Sequence, residues 1–271
     1  MKYALVNNIK TEAQKGLKGY CPNCSLELTA KCGDYKVHHW SHKKTINCDP
    51  WWETETEWHR NWKNHYPADW QEFSFEDPKT NEKHIADIQT VHNLVIEFQH
   101  SNIDPKERIN RELFYKNIIW VVDGTRLKRD CSRFLKSFKN FKKTEKKGLF
   151  FVDYIDEVFP KNWLNSSVPV LFDFKGIEDL IDNTDIRHNL YCLFQVRVGR
   201  YSLVAEIPRK AFIGTTINGE WITRSKNFIE SLIPPKNQPI QNQKIKTKPK
   251  HREGTHYYDQ KKGKLVKKWR F

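Results

Sequence analysis

No apolar run in the chain approaches the roughly 20 residues needed to cross a bilayer, and the opening MKYALVNNIK lacks the apolar core of a secretory signal. A cytoplasmic protein without a membrane partner is therefore expected. There is no internal repeat. Acidic residues are in short supply, with 33 Asp and Glu against 47 Lys and Arg, a formal charge of +14. Such a field favours polyanions, because each Lys or Arg near a phosphate releases condensed counterions. Nucleic acid is the first candidate, an anionic membrane the second and solubility alone the third. Hydrophobic residues are modest at 38%, yet 13% of the 271 residues are aromatic and ten are Trp. That is enough large apolar surface for a core, which excludes a disordered chain.

Disulfides are not expected in a reducing compartment, so clustered cysteines read as metal ligands. Four of the six, Cys21, Cys24, Cys32 and Cys48, fall in the first fifth of the chain, while Cys131 and Cys192 are isolated thiols. Cys21-Pro-Asn-Cys24 forms a CxxC pair, followed by His38, His39, His42 and Cys48. Zinc takes thiolates and imidazoles in a tetrahedron, and a CxxC knuckle supplies two of the four ligands. His39/His42 or His42/Cys48 can supply the other two, so four of the five residues Cys21, Cys24, His39, His42 and Cys48 are expected to hold structural Zn²⁺. A redox CxxC would need a βαβ setting that is missing here. Cys32, beside a Gly, is left out.

Four stretches differ in character. Residues 1–49 are Cys/His-rich and turn-rich. Residues 50–147 alternate helical and strand patterns. Residues 148–233 read as strands, and 234–271 form a polar, Lys-rich basic tail. Asp49-Pro50 is a helix start, an N-cap acceptor before Pro, for a helix through WWETETEWHRNWKNHY. HIADIQ and LVIEFQ form a hairpin turning at His92-Asn93, and Asp104-Pro105 with Glu107 starts a helix through about Lys116. NIIWVV then reads as a strand buried on both faces, and the helical crossover makes it parallel to its predecessor.

Alternation puts Asp87 opposite to Ala86 and Ile88, and sets Glu97 and Gln99 on one face opposite to Ile96 and Phe98. In a hairpin the two acids can meet, and two nearby anions in an apolar strand pair are costly unless a cation lies between them. Mg²⁺ or Mn²⁺ suits that gap, with the Phe98 carbonyl as a further ligand. A charged hairpin face that merely meets solvent is the plainer alternative. On the preceding helix Glu55, His59 and Lys63 are spaced i, i+4, i+8, beside an apolar stripe of Trp51, Trp58 and Trp62 that packs the helix on the sheet.

These residues resemble the CoiA-like nucleases of the PD-(D/E)xK superfamily. Cys21, Cys24 and HWSH (His39 to His42) match the family's Cys-rich start and His box. Glu55, Thr56, His59 and Lys63 match its helix; Ala86, Asp87 and Ile88 match one strand, and Ile96, Glu97, Phe98, Gln99 and Ser101 the next. Tyr115 and the strand at Ile119 to Val121 complete a likeness covering about residues 20 to 123. The resemblance implies a restriction-endonuclease-like α/β fold, a mixed sheet flanked by helices, with an N-terminal zinc module and a strand-rich C-terminal region. It further implies Glu55, Asp87 and Glu97 as Mg²⁺ ligands, with Gln99 where the motif Lys usually stands. Gln cannot supply that positive charge, so Lys63, or His59 as an acid–base group, takes the role. The basic residue often found before Ala-Asp is also missing, with His84 the nearest. The resemblance ends near residue 150.

The expected function is a metal-dependent DNA nuclease, an endonuclease hydrolysing phosphodiesters, acting on incoming DNA in transformation or phage defence. An inactive nucleic-acid-binding protein, with Gln99 as the symptom, is the second reading. A zinc-stabilised subunit that docks a protein partner through its C-terminal region is the third. The zinc module, residues 128–147 and the tail can each track a phosphate backbone, although Phe134, Leu135, Phe138 and Phe141 fall at helical core spacing.

Overall fold

A computed structural model describes residues 1–43, 48–78, 80–232, 256–259 and 264–267. The chain divides into two units, Met1–Ser231 and Leu232–Phe271. The first unit opens on five short strands: β1 (Tyr3–Val6), β2 (Ile9–Glu12), β3 (Lys18–Tyr20), β4 (Glu27–Lys31) and β5 (His39–His42), in the order β2-β1-β3-β4-β5. Their core is small, built on Met1, Ala4, Ala13, Cys21, Leu28 and Trp40. Gly19 lets β3 approach, because a Cβ there would lie 2.8 Å from that of Ala4 and 3.1 Å from the Trp40 ring.

Next come α1 (Glu57–Lys63), β6 (Gln71–Glu76), β7 (Lys83–Gln89), β8 (Val95–Gln99), α2 (Pro105–Tyr115), β9 (Ile118–Asp123) and α3 (Lys128–Phe138). They are followed by β10 (Lys142–Lys143), β11 (Leu149–Val152), β12 (Val170–Asp173), β13 (Asn189–Val198), β14 (Tyr201–Pro208), α4 (Arg209–Ile217) and α5 (Glu220–Leu232). One nine-stranded sheet carries them in the order β10-β11-β14-β13-β12-β9-β8-β7-β6. β8, β9 and β12 run parallel, and the other pairs are antiparallel. Strands from residues 50–147 and 148–233 thus share one ladder. Residues 209–232, expected as strand, are helices α4 and α5 instead, and β6 was not anticipated.

The hairpin of β7 and β8 turns at Asn93, whose φ of 59° suits a short polar side chain. Asp104 caps α2 by accepting from Lys106 N, with Pro105 opening the helix. β9 is buried along its whole length, with Ile118, Trp120 and Val122 in one core and Ile119 and Val121 in the other. α2 and α3 cover the first core through Tyr115 and Phe134; α1, α4 and α5 cover the second through Trp58, Trp62, Phe212 and Trp221. Phe134, Phe138 and Phe141 pack in the first core as their spacing predicts, whereas Leu135 is exposed.

α1 is shorter than expected. Its N-cap is Thr56, whose side chain accepts from His59 N while the His59 ring accepts from Thr56 N, so a Thr/His capping box starts the helix seven residues after Asp49. Asp49 accepts instead from Trp51 N (2.9 Å) and Ile85 N (2.8 Å). Glu55 and Trp51 therefore precede the helix, and the supposed helical stripes break there. Asp173, fully buried at the end of β12, receives the indole N–H of both Trp58 and Trp62 (3.0 Å each) and both Arg209 Nη atoms (3.0 and 2.7 Å). It fixes α1 against the C-terminal half of the sheet.

In the second unit β15 (His256–Asp259) and β16 (Lys264–Lys267) pair antiparallel. The rest of the expected basic tail lies outside the described residues. Among the described residues no helix is long and apolar enough to cross a membrane.

Candidate active site

Lys63, at the last turn of α1, is the centre of the site. Its Nζ lies 2.9 Å from Glu55 Oε2, 3.1 Å from Asp87 Oδ1 and 3.2 Å from Glu72 Oε1, with the side chain 3% exposed. Burial alone would lower its pKa, but Glu55, Asp87 and Glu72 outweigh it and hold the ammonium charged well above its ordinary range. Burial likewise pushes the Glu55 carboxyl up, and the adjacent Lys63 overrides this, bringing it down to about 2. Arg60 Nε adds a second cation 3.2 Å from Glu55.

The sheet is interrupted at Asp87. Gln71 faces Ile88 and Phe73 faces Ala86 across β6 and β7, whereas between them Glu72 takes a left-handed φ of 47°. A non-Gly residue there costs on the order of 1–3 kcal/mol, and such strain clusters at functional sites. Ala86 and Ile88 are both fully buried, yet they belong to different cores, with a half-buried Asp87 between them. Asp87 Oδ2 accepts from Phe98 N at 2.9 Å, and Asp87 N donates to Glu97 Oε1 at 3.4 Å. The two acids meet through each other's backbone.

Glu97 is 4% exposed, so this acid does not face solvent. Burial and the neighbouring Asp87 raise its carboxyl from 4.5 to about 8, against the pull of Arg111, whose Nη1 lies 3.0 Å away. The folded chain thus holds a proton that the unfolded chain releases above pH 4.5. Stability from this group is full below that pH and falls as pH rises towards 8. Urea midpoints without added divalent cation should therefore drop between pH 5.5 and 8 more steeply in wild type than in Glu97→Gln. Equal slopes would remove Glu97 as the cause.

His59 is fixed by its cap. Its Nδ1 takes the Thr56 N–H, which leaves Nε2 facing Glu53 Oε2 at 3.5 Å, within ion-pair range but outside hydrogen-bond geometry. Glu53 also accepts from Ser101 N. Trp51, Glu53, Glu55, His59, Lys63, Asp87, Glu97 and Arg111 are among the residues lining one cavity of about 50 Å³.

Gln99 lies outside that lining, with its amide turned to Ser101 Oγ at 3.2 Å. His84 is a buttress: it is fully buried between Asp49 (2.9 Å) and Glu82 (2.8 Å) and stacked 3.2 Å from Trp51. Among the described residues Glu55, Asp87 and Glu97 do not converge as a three-acid cluster with ligand atoms within 4.8 Å of one another. Lys63 bridges Glu55 and Asp87, and Arg111 pairs with Glu97. Asp49, Glu53, Glu72 and Arg111 were not foreseen. Arg111 carried one readable signal, a charged position on α2 spaced i, i+4 from Glu107, to which it bonds.

In the N-terminal sheet Cys21, Cys24, His42 and Cys48 bring one ligand atom each within 4.8 Å of one another. Cys21 Sγ lies 3.7 Å from Cys48 Sγ and Cys24 Sγ lies 3.2 Å from His42 Nε2. A tetrahedron with Zn–S bonds of about 2.3 Å has edges of about 3.7 Å, so the donor set and its spacing fit zinc. The Cys48 sulfur and nearby N–H groups hold the Cys21 thiol down at about 5, against burial. His39 is the one of the five that stays out, its Nδ1 turned to Val37 O at 2.9 Å. Asn23, inside the CxxC knuckle, joins the cluster to the main sheet by donating to Cys48 O (3.3 Å) and accepting from Ser74 Oγ on β6 (2.6 Å).

Helix, strands, helix and parallel strand converging on buried acids place the chain among nuclease-like α/β proteins. Residues 6–50 match the model for the competence protein CoiA N-terminal domain, and residues 69–160 match that for the CoiA nuclease-like domain. The two matches span about half the sequence, and the chain belongs to the competence protein CoiA family. Asp87, Glu97 and Arg111 fall inside the nuclease-like match; Glu55, His59 and Lys63 fall between the two matches. No curated protein and no solved structure matched the chain.

Proposed function

We propose that the chain is a divalent-cation-dependent DNA nuclease of the PD-(D/E)xK type, working on incoming DNA in transformation or phage defence. The observation that carries this reading is Glu97, buried against Asp87 on the wall of one cavity, where a cation would offset the two neighbouring carboxylates. Asp87 and Glu97 are the residues that would hold Mg²⁺ or Mn²⁺. When bound, such a cation lowers the pKa of a water and polarises the phosphate. Lys63, held charged, supplies beside Asp87 the positive charge that Gln99 lacks. Arg111 orients Glu97, and the Glu53–His59 pair is the acid–base candidate at the cavity wall.

The test is cleavage of circular, linear and single-stranded DNA by wild type and Asp87→Ala, with Mg²⁺ or Mn²⁺ added or omitted. Omission is preferable to chelation with EDTA, which would also strip the Cys₃His cluster. Wild type should cut only with the cation, and Asp87→Ala should lose at least a hundredfold. Binding without cutting in any cation would favour the second reading, an inactive nucleic-acid-binding protein, for which Gln99 speaks.

A further inference from the structure

We infer that Glu72 is a positioning residue: it holds Lys63 in place and makes strand β1 part of the candidate active site. The inference rests on the nuclease reading for its link to rate, and on geometry alone for the restraint. Glu72 is 5% exposed and left-handed at φ 47°, a conformation that its environment must enforce. Its carboxylate joins two parts of the chain. Oε1 accepts from Lys63 Nζ at 3.2 Å and from Lys2 N at 2.5 Å; Oε2 accepts from Tyr3 N at 2.9 Å. The carboxylate thus takes two consecutive backbone N–H groups at the start of β1, where a neighbouring strand would normally take only one of them.

Lys2 reinforces the same junction from the other side. Its Nζ donates to Asn64 Oδ1 (2.6 Å) and Gln71 Oε1 (2.9 Å), the chain neighbours of Lys63 and Glu72. Lys63 therefore cannot swing out of its cage without breaking the tie to β1. An ammonium on a four-carbon stem has many rotamers, and near-attack geometry is sensitive to displacements of about 1 Å. A fixed third carboxylate, distinct from Glu55 and Asp87, restricts Lys63 to one of them while leaving Glu97 free of it.

The test pairs two readouts on the full chain, with Glu72→Gln as the variant. Lys63 acetylation by an N-hydroxysuccinimide ester, followed by mass spectrometry, reads the restraint without any need for activity. It should speed up at least tenfold in Glu72→Gln and by a smaller factor in Lys2→Met, which loses only the reinforcing bonds to Asn64 and Gln71. In Mn²⁺-dependent cleavage kcat should fall about tenfold with KM within twofold, whereas a merely structural role would leave kcat of the folded variant unchanged. Glu72→Asp covers an unfolded amide variant, because it keeps the charge but draws it back from Lys63. Labelling at the wild-type rate in the folded variants would overturn the inference. Absence of cleavage in wild type would count against the nuclease reading, and the labelling would still decide the restraint.

Discussion

Replacing Lys63 with Met is expected to cost the fold about 3–5 kcal/mol at pH 7.5, the penalty for removing one partner of a buried ion pair, and to abolish cleavage. The ammonium is the common partner of Glu55, Asp87 and Glu72, and its side chain is 3% exposed, so the pairs it makes are buried ones. Without it the three acids lose their common cation, with Arg60 left to Glu55 alone, and taking up protons relieves the repulsion. That fixes the sign of the pH dependence. In wild type Glu55 sits at about 2, below its ordinary value, so its contribution is present at neutral pH and lost as pH falls through the acid range. In Lys63→Met the same acids rise above their unfolded values, so the variant is weakest at high pH and recovers on acidification. The gap between the two proteins should narrow from pH 7.5 to pH 5 in urea melts. Lys63→Arg should not rescue, because a planar guanidinium does not fit a cage built around a compact ammonium. A Lys63→Met protein within 1 kcal/mol of wild type at pH 7.5 would show that the acids do not depend on this lysine.

Much of this site was readable from residue order alone. The Asp104-Pro105 cap, the apolar NIIWVV strand and the two short alternating runs of the hairpin are local signals, and the structure realises all of them. Cys21, Cys24, His42 and Cys48 were visible for the same reason, since knuckle spacing and donor chemistry travel with the sequence. What escaped was decided by tertiary contacts. Asp49-Pro50 has the local form of a helix start, but Ile85 N and His84 compete for the same carboxylate, and the Thr56–His59 box sets the true start. Glu72 carries no sequence signal, because nothing local asks for a glutamate in a left-handed conformation. Its reason lies in β1, some seventy residues away in the chain. The C-terminal helices have no sharp local start, because residues 209–232 follow two long strands and continue their apolar content.

Removal of the metal expected at Cys21, Cys24, His42 and Cys48 should unfold the N-terminal sheet and, with it, silence the site. The six buried residues of that sheet's core are too few to stabilise it unaided, and structural zinc is worth up to about 10–16 kcal/mol in isolated small modules. Here part of that is shared with the main sheet, because Asn23 bonds both Cys48 O and Ser74, and Glu72 bonds the start of β1. Purified protein should contain about one zinc per chain by elemental analysis. Treatment with 1,10-phenanthroline, which leaves Mg²⁺ in solution, should lower the melting temperature by more than ten degrees. His42→Ala should lose the zinc and His39→Ala should keep it, since His39 is turned to Val37 O. Because Lys63 is tied to β1 through Glu72, the zinc-free protein should also label faster at Lys63. A protein that melts at the same temperature with and without phenanthroline would show that the sheet stands without the metal. Lys63 would then owe its position to the nuclease core alone.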